Sequence, residues 1–144
     1  MIVVDANLLL YAHDAGSAHH SAAHRWLEYT LSGNETIGLA WVAVLAFLRV
    51  ATNPRLRKDA PTLAEAAAIV AGWLERPNVS LLNPGERHWE ILGAMMIKGQ
   101  ARGPLITDAH LAALAIEHGA ALATTDRDFA RFPGLEFFNP LDTA

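Results

Sequence analysis

Two aspartates in this sequence directly follow short apolar runs that predict β-strands. Asp5 comes after Met1–Val4, and Asp126 comes after Ala120–Thr125. In an open parallel α/β sheet, the carboxyl ends of the strands line one crevice, and ligands bind there. If both strands belong to such a sheet, Asp5 and Asp126 lie at the same edge.

A third aspartate, Asp108, begins the apolar side of a predicted helix. It lies three and four residues before Leu111 and Ala112, and the helix is predicted to end at Gly119, a residue suited to a left-handed C′ position. If this helix begins at the same crevice, three carboxylates gather there and repel one another strongly, and a bound cation removes that repulsion. Oxygen ligands without cysteine favour Mg²⁺ or Mn²⁺.

Each of these aspartates also has an ordinary structural interpretation. A carboxylate in the first turn of a helix often only stabilises the helix dipole, and a carboxylate at a strand end often caps a turn. Asp5 and Asp126 close strands of matching form, and Asp108 heads an apolar stripe. The combination favours a metal site over three separate structural roles.

The elements that position these acids alternate between strand and helix along the chain. Further helices are predicted in residues 6–12, 18–32 and 41–51, from 61 onward and after 85, and further strands in 36–40, 79–82 and 135–138. This alternation predicts a three-layer α/β/α domain with a parallel sheet of four or five strands. Residues 41–51 are apolar nearly all round, which predicts a buried helix.

The composition is typical of one ordinary domain, which we expect to span residues 1–144. Hydrophobic residues make up 52% of the chain and charged residues 18%, so we expect apolar surface to remain for a homodimer or another tightly bound partner. No apolar run is long enough to cross a membrane, no basic leader precedes the first strand, and there are no cysteines, which together predict a cytoplasmic protein. The net charge of −4 argues against indiscriminate binding of nucleic acids.

Three runs of the sequence carry a family resemblance: IVVDANLLLYA, TDAHLAALAIEHGAALATTDRDFARF and LEFFNPL. They resemble the PIN-domain ribonucleases, in particular the VapC-type toxins of bacterial toxin–antitoxin pairs, over nearly the whole chain. The resemblance implies a PIN-like α/β/α fold, endonuclease activity on RNA, and a small VapB-type antitoxin that blocks the site. It also implies a Mg²⁺ or Mn²⁺ site at Asp5, Asp108 and Asp126.

The sequence departs from this family at one position in the predicted helix 41–51. PIN nucleases usually carry a glutamate three residues before an arginine there, whereas this chain has Ala46 before Arg49. Asp128 is then the nearest candidate to supply the missing carboxylate, and Arg49 is free to meet a phosphate. An alternative hypothesis follows, in which the chain is a catalytically weakened PIN-like module that binds RNA or a partner protein.

Asn7 and Thr124 match the D-x-N and T-x-D patterns of the family. Asn7 is predicted either to orient Asp5 or hold a metal-bound water, or to cap the first helix. Thr124 is predicted either to hydrogen-bond a metal-bound water or to serve as a plain strand residue.

The expected reaction is metal-assisted hydrolysis of an RNA phosphodiester, because no serine, cysteine or lysine stands in a visible nucleophile arrangement. His110 is close enough in sequence to Asp108 to contact the substrate. A phosphatase of the haloacid-dehalogenase type also begins with a strand that ends in aspartate. It needs a second aspartate at the position of Asn7, and an amide cannot replace that general acid.

Two basic segments are candidates for holding an RNA backbone beside the acids, or alternatively for forming solvated loops. They are Arg49, Arg55, Arg57 and Lys58 in the first segment, and Lys98 and Arg102 in the second.

Overall fold

The computed structural model of this protein describes residues 1–142. The strands in this part are β1 (Ile2–Val4), β2 (Ile37–Ala40), β3 (Val79–Leu82), β4 (Ala121–Ala123) and β5 (Phe137–Phe138). The α-helices are α1 (Ala6–Ala12), α2 (His20–Leu31), α3 (Trp41–Ala51), α4 (Leu63–Leu74), α5 (His88–Lys98) and α6 (Leu105–Glu117). A short 3₁₀-helix, Arg127–Arg131, follows β4. None of the helices within residues 1–142 combines the length and the apolar character that crossing a bilayer requires.

The five strands form one parallel sheet in the order β3-β2-β1-β4-β5. The chain moves outward from β1 on one side through β2 and β3, and then crosses to the other side for β4 and β5. The strand order therefore reverses between β1 and β4, which is where open α/β sheets form their ligand crevice. Val4 pairs with Ala123, so β1 and β4 end level with each other.

Helices cover both faces of the sheet, as the alternation of side chains along each strand dictates. Val3 and Leu122 pack with buried residues of α5 and α6. Val4 and Ala123, one residue further along, pack with buried residues of α1, α2, α3 and α4. The predicted three-layer α/β/α architecture with a parallel sheet is confirmed, and the number of strands is five.

Local sequence signals explain where several helices begin and end. Thr62 and Glu65 form a capping box before α4, in which each side chain accepts a hydrogen bond from the backbone N–H of the other residue. Gly119 has a φ of 64°, so it takes the left-handed conformation that was predicted to end α6. The strands β4 and β5 are shorter than the predicted runs, so Thr124 lies just beyond the end of β4.

The prediction that residues 41–51 form a fully buried helix is wrong in one respect. The helix α3 has the predicted bounds, and Val44 and Phe47 lie in the core, but Trp41 remains 49% exposed and Leu45 59% exposed. The exposed residues recur every four positions, which is one helical stripe. The physical reason is that α3 packs into the core through the side that carries Val44 and Phe47, so the stripe with Trp41 and Leu45 stays uncovered.

Candidate active site

The three predicted aspartates line one pocket of about 370 Å³ at the carboxyl ends of β1 and β4. Asp5 directly follows β1, Asp126 follows β4 after two threonines, and Asp108 lies in the first turn of α6. The ends of β1 and β4 and the start of α6 thus bring these acids to one pocket, and their function as a metal site stays a prediction. Other residues of the wall are Asn7 from α1, Ala46 and Arg49 from α3, and Thr107 and Leu111 from α6.

A short chain of hydrogen bonds holds two of these acids in place. The backbone N–H of Asp5 donates to the carbonyl of Ala123 at 3.0 Å, which extends the β1–β4 pairing by one residue. The hydroxyl of Thr124 donates to Oδ2 of Asp5 at 2.7 Å and accepts from the backbone N–H of Asp126 at 3.0 Å. Because Thr124 is 1% exposed, it acts on these acids from behind the pocket and does not line it. The structure thus places this threonine as a positioning residue.

We expect Thr124→Val to lower both stability and RNA cleavage, because valine keeps the shape and removes the hydroxyl. The partly buried N–H of Asp126 then loses its acceptor, which costs about 1 kcal/mol of unfolding free energy. Loss of a group that orients a metal-binding carboxylate typically reduces activity by about 10–100-fold. Denaturant unfolding and cleavage kinetics measure the two effects. The variant Thr124→Ser keeps the hydroxyl and is expected to retain most of the activity, and equal losses in both variants contradict a hydrogen-bonding role.

Burial, and after it the repulsion between the acids, raises the pKa values in this pocket. Partial burial, together with the charges of Asp5, Asp126 and Asp128, raises the pKa of Asp108 to about 6. Burial also raises the pKa of Asp5, and the charge of Asp126 adds to that increase, whereas the hydrogen bond from Thr124 lowers it. These directions show that the carboxylates act on one another. The arrangement stores repulsion that a bound cation relieves.

In metal-free protein, we expect Asp108→Asn to raise the unfolding temperature at pH 7.5 and to lose this advantage at pH 4. The folded protein keeps the proton of Asp108 up to about pH 6, whereas the unfolded chain releases it near the ordinary value of 3.8. The contribution of this group to stability is therefore complete below pH 3.8 and is lost as the pH rises through 6. After discounting for solvent screening, the effect is about 1 kcal/mol, or about 4 °C.

Thermal unfolding in EDTA at several pH values tests this prediction. Glu86→Gln, which removes an exposed acid in the loop before α5, is a matched control and should leave the pH profile unchanged. An Asp108→Asn variant that is less stable than the unmodified protein at pH 7.5 contradicts the repulsion that we infer.

Two residues that the sequence suggested for the site, Asp128 and His110, do not line the pocket. Asp128 is exposed and does not line the pocket, although its charge contributes to the raised pKa of Asp108. Its carboxylate therefore does not stand where the missing glutamate was expected. His110 bonds to His88 at 2.9 Å, on the side of α6 that packs against α5, so its ring does not turn toward the substrate pocket.

Asn7 lies in the wall of the pocket, but the structure does not support its predicted role as a helix cap. Asp5 occupies the N-cap position of α1, and no side chain makes a capping hydrogen bond there. Asn7 is exposed in the first turn of the helix, beside Asp5. The other interpretation, in which Asn7 orients Asp5 or holds a metal-bound water, stays a prediction.

The basic residues fall into two groups. Arg49 lines the pocket, is exposed, and makes no ion pair within residues 1–142. Arg57 instead donates to the carbonyl of His13 at 3.2 Å and pairs with Asp14 at 3.5 Å, so it ties two loops together. Of these two arginines, only Arg49 is placed to meet a phosphate in the pocket.

Sequence reasoning missed two residues near the acids. Thr107 lines the pocket directly before Asp108, and its only sequence signal is that neighbour. Arg131 lowers the pKa of Asp108, so its positive charge partly offsets the repulsion, and its guanidinium donates to the carbonyl of Gly99 at 2.9 Å. No spacing in the sequence links Arg131 to this pocket, because the contact depends on how the 3₁₀-helix packs.

The chemistry of the donor set fits a hard divalent cation, since the acids offer only carboxylate oxygens. Burial and the neighbouring negative charges together raise the pKa of Asp108, and this accumulation of carboxylates in a half-buried place supports the fit. The acids share a pocket without forming a compact ligand group. In the described residues, no three His, Cys, Asp or Glu side chains are arranged to hold a metal ion.

Comparison with known proteins gives a consistent result. Residues 2–135 match the family described as PIN domain. The chain is 44% identical over 140 residues to Ribonuclease VapC37 of Mycobacterium tuberculosis, with 97% of each protein covered. It is 43% identical over 141 residues to Ribonuclease VapC33 of the same species, with 98% of this chain and 99% of the relative covered.

Among solved structures, the fold is similar to a chain in VapBC2 from Rickettsia felis bound to a DNA fragment from its promoter. The TM-score is 0.70 at 21% sequence identity, and the match covers 96% of this chain and 98% of the other. At this identity the likeness concerns the fold alone. The family match and the relatives, which extend over nearly the whole length, show that the chain belongs to the PIN-domain family.

Proposed function

We propose that this protein is a metal-dependent endoribonuclease that acts as the toxin of a VapBC-type toxin–antitoxin pair. The observation that carries the proposal is the single pocket that holds Asp5, Asp108 and Asp126 in a PIN-domain chain. Its relatives at 36–44% identity are named ribonucleases, and they extend over nearly its whole length. Cellular RNA as the substrate agrees with the cytoplasmic location that the sequence predicts.

In this proposal, Asp5, Asp108 and Asp126 hold Mg²⁺ or Mn²⁺. Such an ion lowers the pKa of a water molecule and neutralises charge that develops on the phosphate. Mg²⁺ in proteins usually keeps several water ligands, so these acids need not form a closed set of ligands around it.

Other residues of the pocket act on the substrate or on the acids. Arg49 contacts a phosphate oxygen of the RNA, because its guanidinium borders the pocket and makes no ion pair in the described residues. Thr124 fixes the orientation of Asp5, and Asn7 hydrogen-bonds a water or the substrate next to Asp5. Asp128 adds negative charge from outside the pocket.

A small antitoxin is the proposed protein partner. Solved VapBC complexes share this fold, and apolar side chains remain exposed on the two helices, α3 and α6, that contribute to the pocket wall. Trp41 and Leu45 on α3 and Ile106 on α6 are 39–59% exposed. An apolar segment of the antitoxin that covers these residues also blocks access to the acids. A homodimer remains a prediction from the apolar composition.

The alternative is a PIN-like module that binds RNA or a partner protein with little catalysis. One observation favours it: Ala46 lines the pocket where the family usually has a glutamate, so this wall offers no carboxylate. Both hypotheses place RNA in the same pocket. They differ in whether the bound RNA is cleaved.

The decisive experiment incubates the purified protein with total structured RNA in Mg²⁺, in Mn²⁺ and in EDTA. We expect cleavage with either metal and none in EDTA, because the carboxylates alone do not neutralise the charge that develops on the phosphate. RNA that is bound but remains intact under all conditions contradicts the nuclease and supports the binding module. Cleavage that persists in EDTA contradicts the metal site.

A further inference from the structure

A second cavity, of about 390 Å³, lies beside the candidate active site along the edge of the sheet. Asp126 lines both cavities, so they are neighbours. The second cavity is formed where β4 and β5 end, and its wall includes Thr125, Arg127, Phe137 and Asn139. The second cavity is therefore within reach of a strand whose phosphate lies at the acids.

The first unusual feature of this cavity is a partly exposed aromatic side chain, Phe137. Phe137 belongs to the edge strand β5 and is 37% exposed, whereas Phe129 in the core is 1% exposed. Phe138 is equally exposed and also lines this cavity, but its side chain alternates to the other face of the sheet, where it borders a cavity beside Tyr29. Leaving aromatic area in water costs free energy that a stacked ligand recovers. Phe137 is thus the available platform.

The second feature is an arginine available for the RNA backbone. Arg127 is exposed, lines this cavity, and makes no ion pair in the part of the chain that the structure describes. Arg49 is likewise exposed, lines the first cavity, and makes no ion pair in the described residues. Arg49 and Arg127 thus line the two neighbouring cavities that share Asp126, and each can neutralise a phosphate of a bound strand.

The remaining polar groups shape the cavity. The side chain of Asn139 accepts from the backbone N–H of Leu141 at 2.9 Å and donates to Asp142 at 3.3 Å, so its amide is occupied within the turn. Asp142 also lines the cavity, and its negative charge disfavours a phosphate on that side. A neutral, flat group fits between the carboxylate and the ring better than an anion does. The bases of single-stranded RNA are flat and neutral, and they stack on aromatic side chains.

We propose that this second cavity binds one unpaired nucleobase next to the scissile phosphate, stacked on Phe137, while Arg127 contacts the adjacent backbone. The inference rests on the proposed action on RNA and assigns part of its substrate specificity. A base inside a duplex cannot enter the cavity, because it remains paired and stacked on its neighbours. The protein therefore selects loops and other single-stranded segments.

The test measures binding of an oligouridylate of about 12 nucleotides that carries one 2-aminopurine, in EDTA to prevent cleavage. We expect quenching of the 2-aminopurine fluorescence by the unmodified protein. Phe137→Leu removes the π-face and keeps apolar bulk, and it should weaken binding by about 5–20-fold and abolish the quenching. Phe137→Tyr keeps the π-face and should behave like the unmodified protein. Tyr29→Leu removes an exposed aromatic ring outside this cavity and is the matched control.

Equal affinity and equal quenching in Phe137→Leu and the unmodified protein overturn the inference, even if the protein cleaves RNA in Mg²⁺. Quenching that depends on Phe137 in a protein that never cleaves supports the base site and contradicts the nuclease function. If Phe137→Leu does not fold, a series of oligonucleotides is used instead, each with one abasic nucleotide at a different position. The affinity of the unmodified protein for each of them is measured. A loss of affinity at one position supports the base site, and no loss at any position overturns it.

Discussion

Asp108→Asn is expected to reduce metal-dependent RNA cleavage by at least about 100-fold while the protein remains folded. The substitution keeps the size of the side chain and removes a charge from the pocket that also holds Asp5 and Asp126. Changes to the surroundings of metal ligands already cost about 10–100-fold, and removal of a proposed ligand should reach or exceed the upper value. Initial cleavage rates over a series of Mg²⁺ concentrations measure the effect.

Asp128→Asn provides the matched control for this experiment. It removes the same type of charge two residues after Asp126, but from an exposed side chain outside the pocket lining. We expect a reduction of less than about tenfold, because this acid acts on Asp108 only through its charge. Equal losses in the two variants indicate that Asp128 is also a ligand, and full activity of Asp108→Asn overturns the proposed site.

The second large effect is a gain of activity in Ala46→Glu. Ala46 is half-buried in the wall of the pocket, one helical turn before Arg49 and opposite the acids. A glutamate there adds a fourth carboxylate to a pocket of about 370 Å³, at the position where PIN nucleases usually have one. We expect the cleavage rate at low Mg²⁺ to rise by about tenfold, because an additional carboxylate increases affinity for the cation.

Ala46→Gln has the same shape as the glutamate variant without its charge, which makes it the appropriate comparison. It should show no gain, and half-maximal activation by Mg²⁺ should shift to lower concentration only in Ala46→Glu. In EDTA, the glutamate variant should also be less stable at pH 7.5, because one more negative charge faces Asp108. Identical metal dependence in all three proteins shows that the pocket does not use a carboxylate at this position.

Local patterns in the sequence were sufficient to predict the architecture and to predict that three acids share one pocket. Strand periodicity and helix-stop signals depend on neighbouring residues only, so the bounds of α1, α3 and β3 and the left-handed Gly119 were predictable. The acids were predictable because parallel strands end at a common edge. This topological rule does not depend on the details of packing.

The tertiary structure decided how the surroundings of these acids work. Thr124 is an ordinary residue at a strand end by sequence, and only the level ends of β1 and β4 place its hydroxyl against Asp5. In the same way, the packing of the 3₁₀-helix sends Asp128 outward and brings the charge of Arg131 toward Asp108.

The two surfaces proposed to meet partners also depend on the fold. The exposed stripe of α3 reads as core by sequence, because its composition is apolar on every side. Similarly, Phe137 resembles any strand residue until the sheet order makes β5 an edge. The sequence by itself therefore determined which elements form and which acids they carry, because those depend on local periodicity. Which apolar and polar groups remain available for ligands was decided only by the tertiary structure, because exposure depends on which elements pack together.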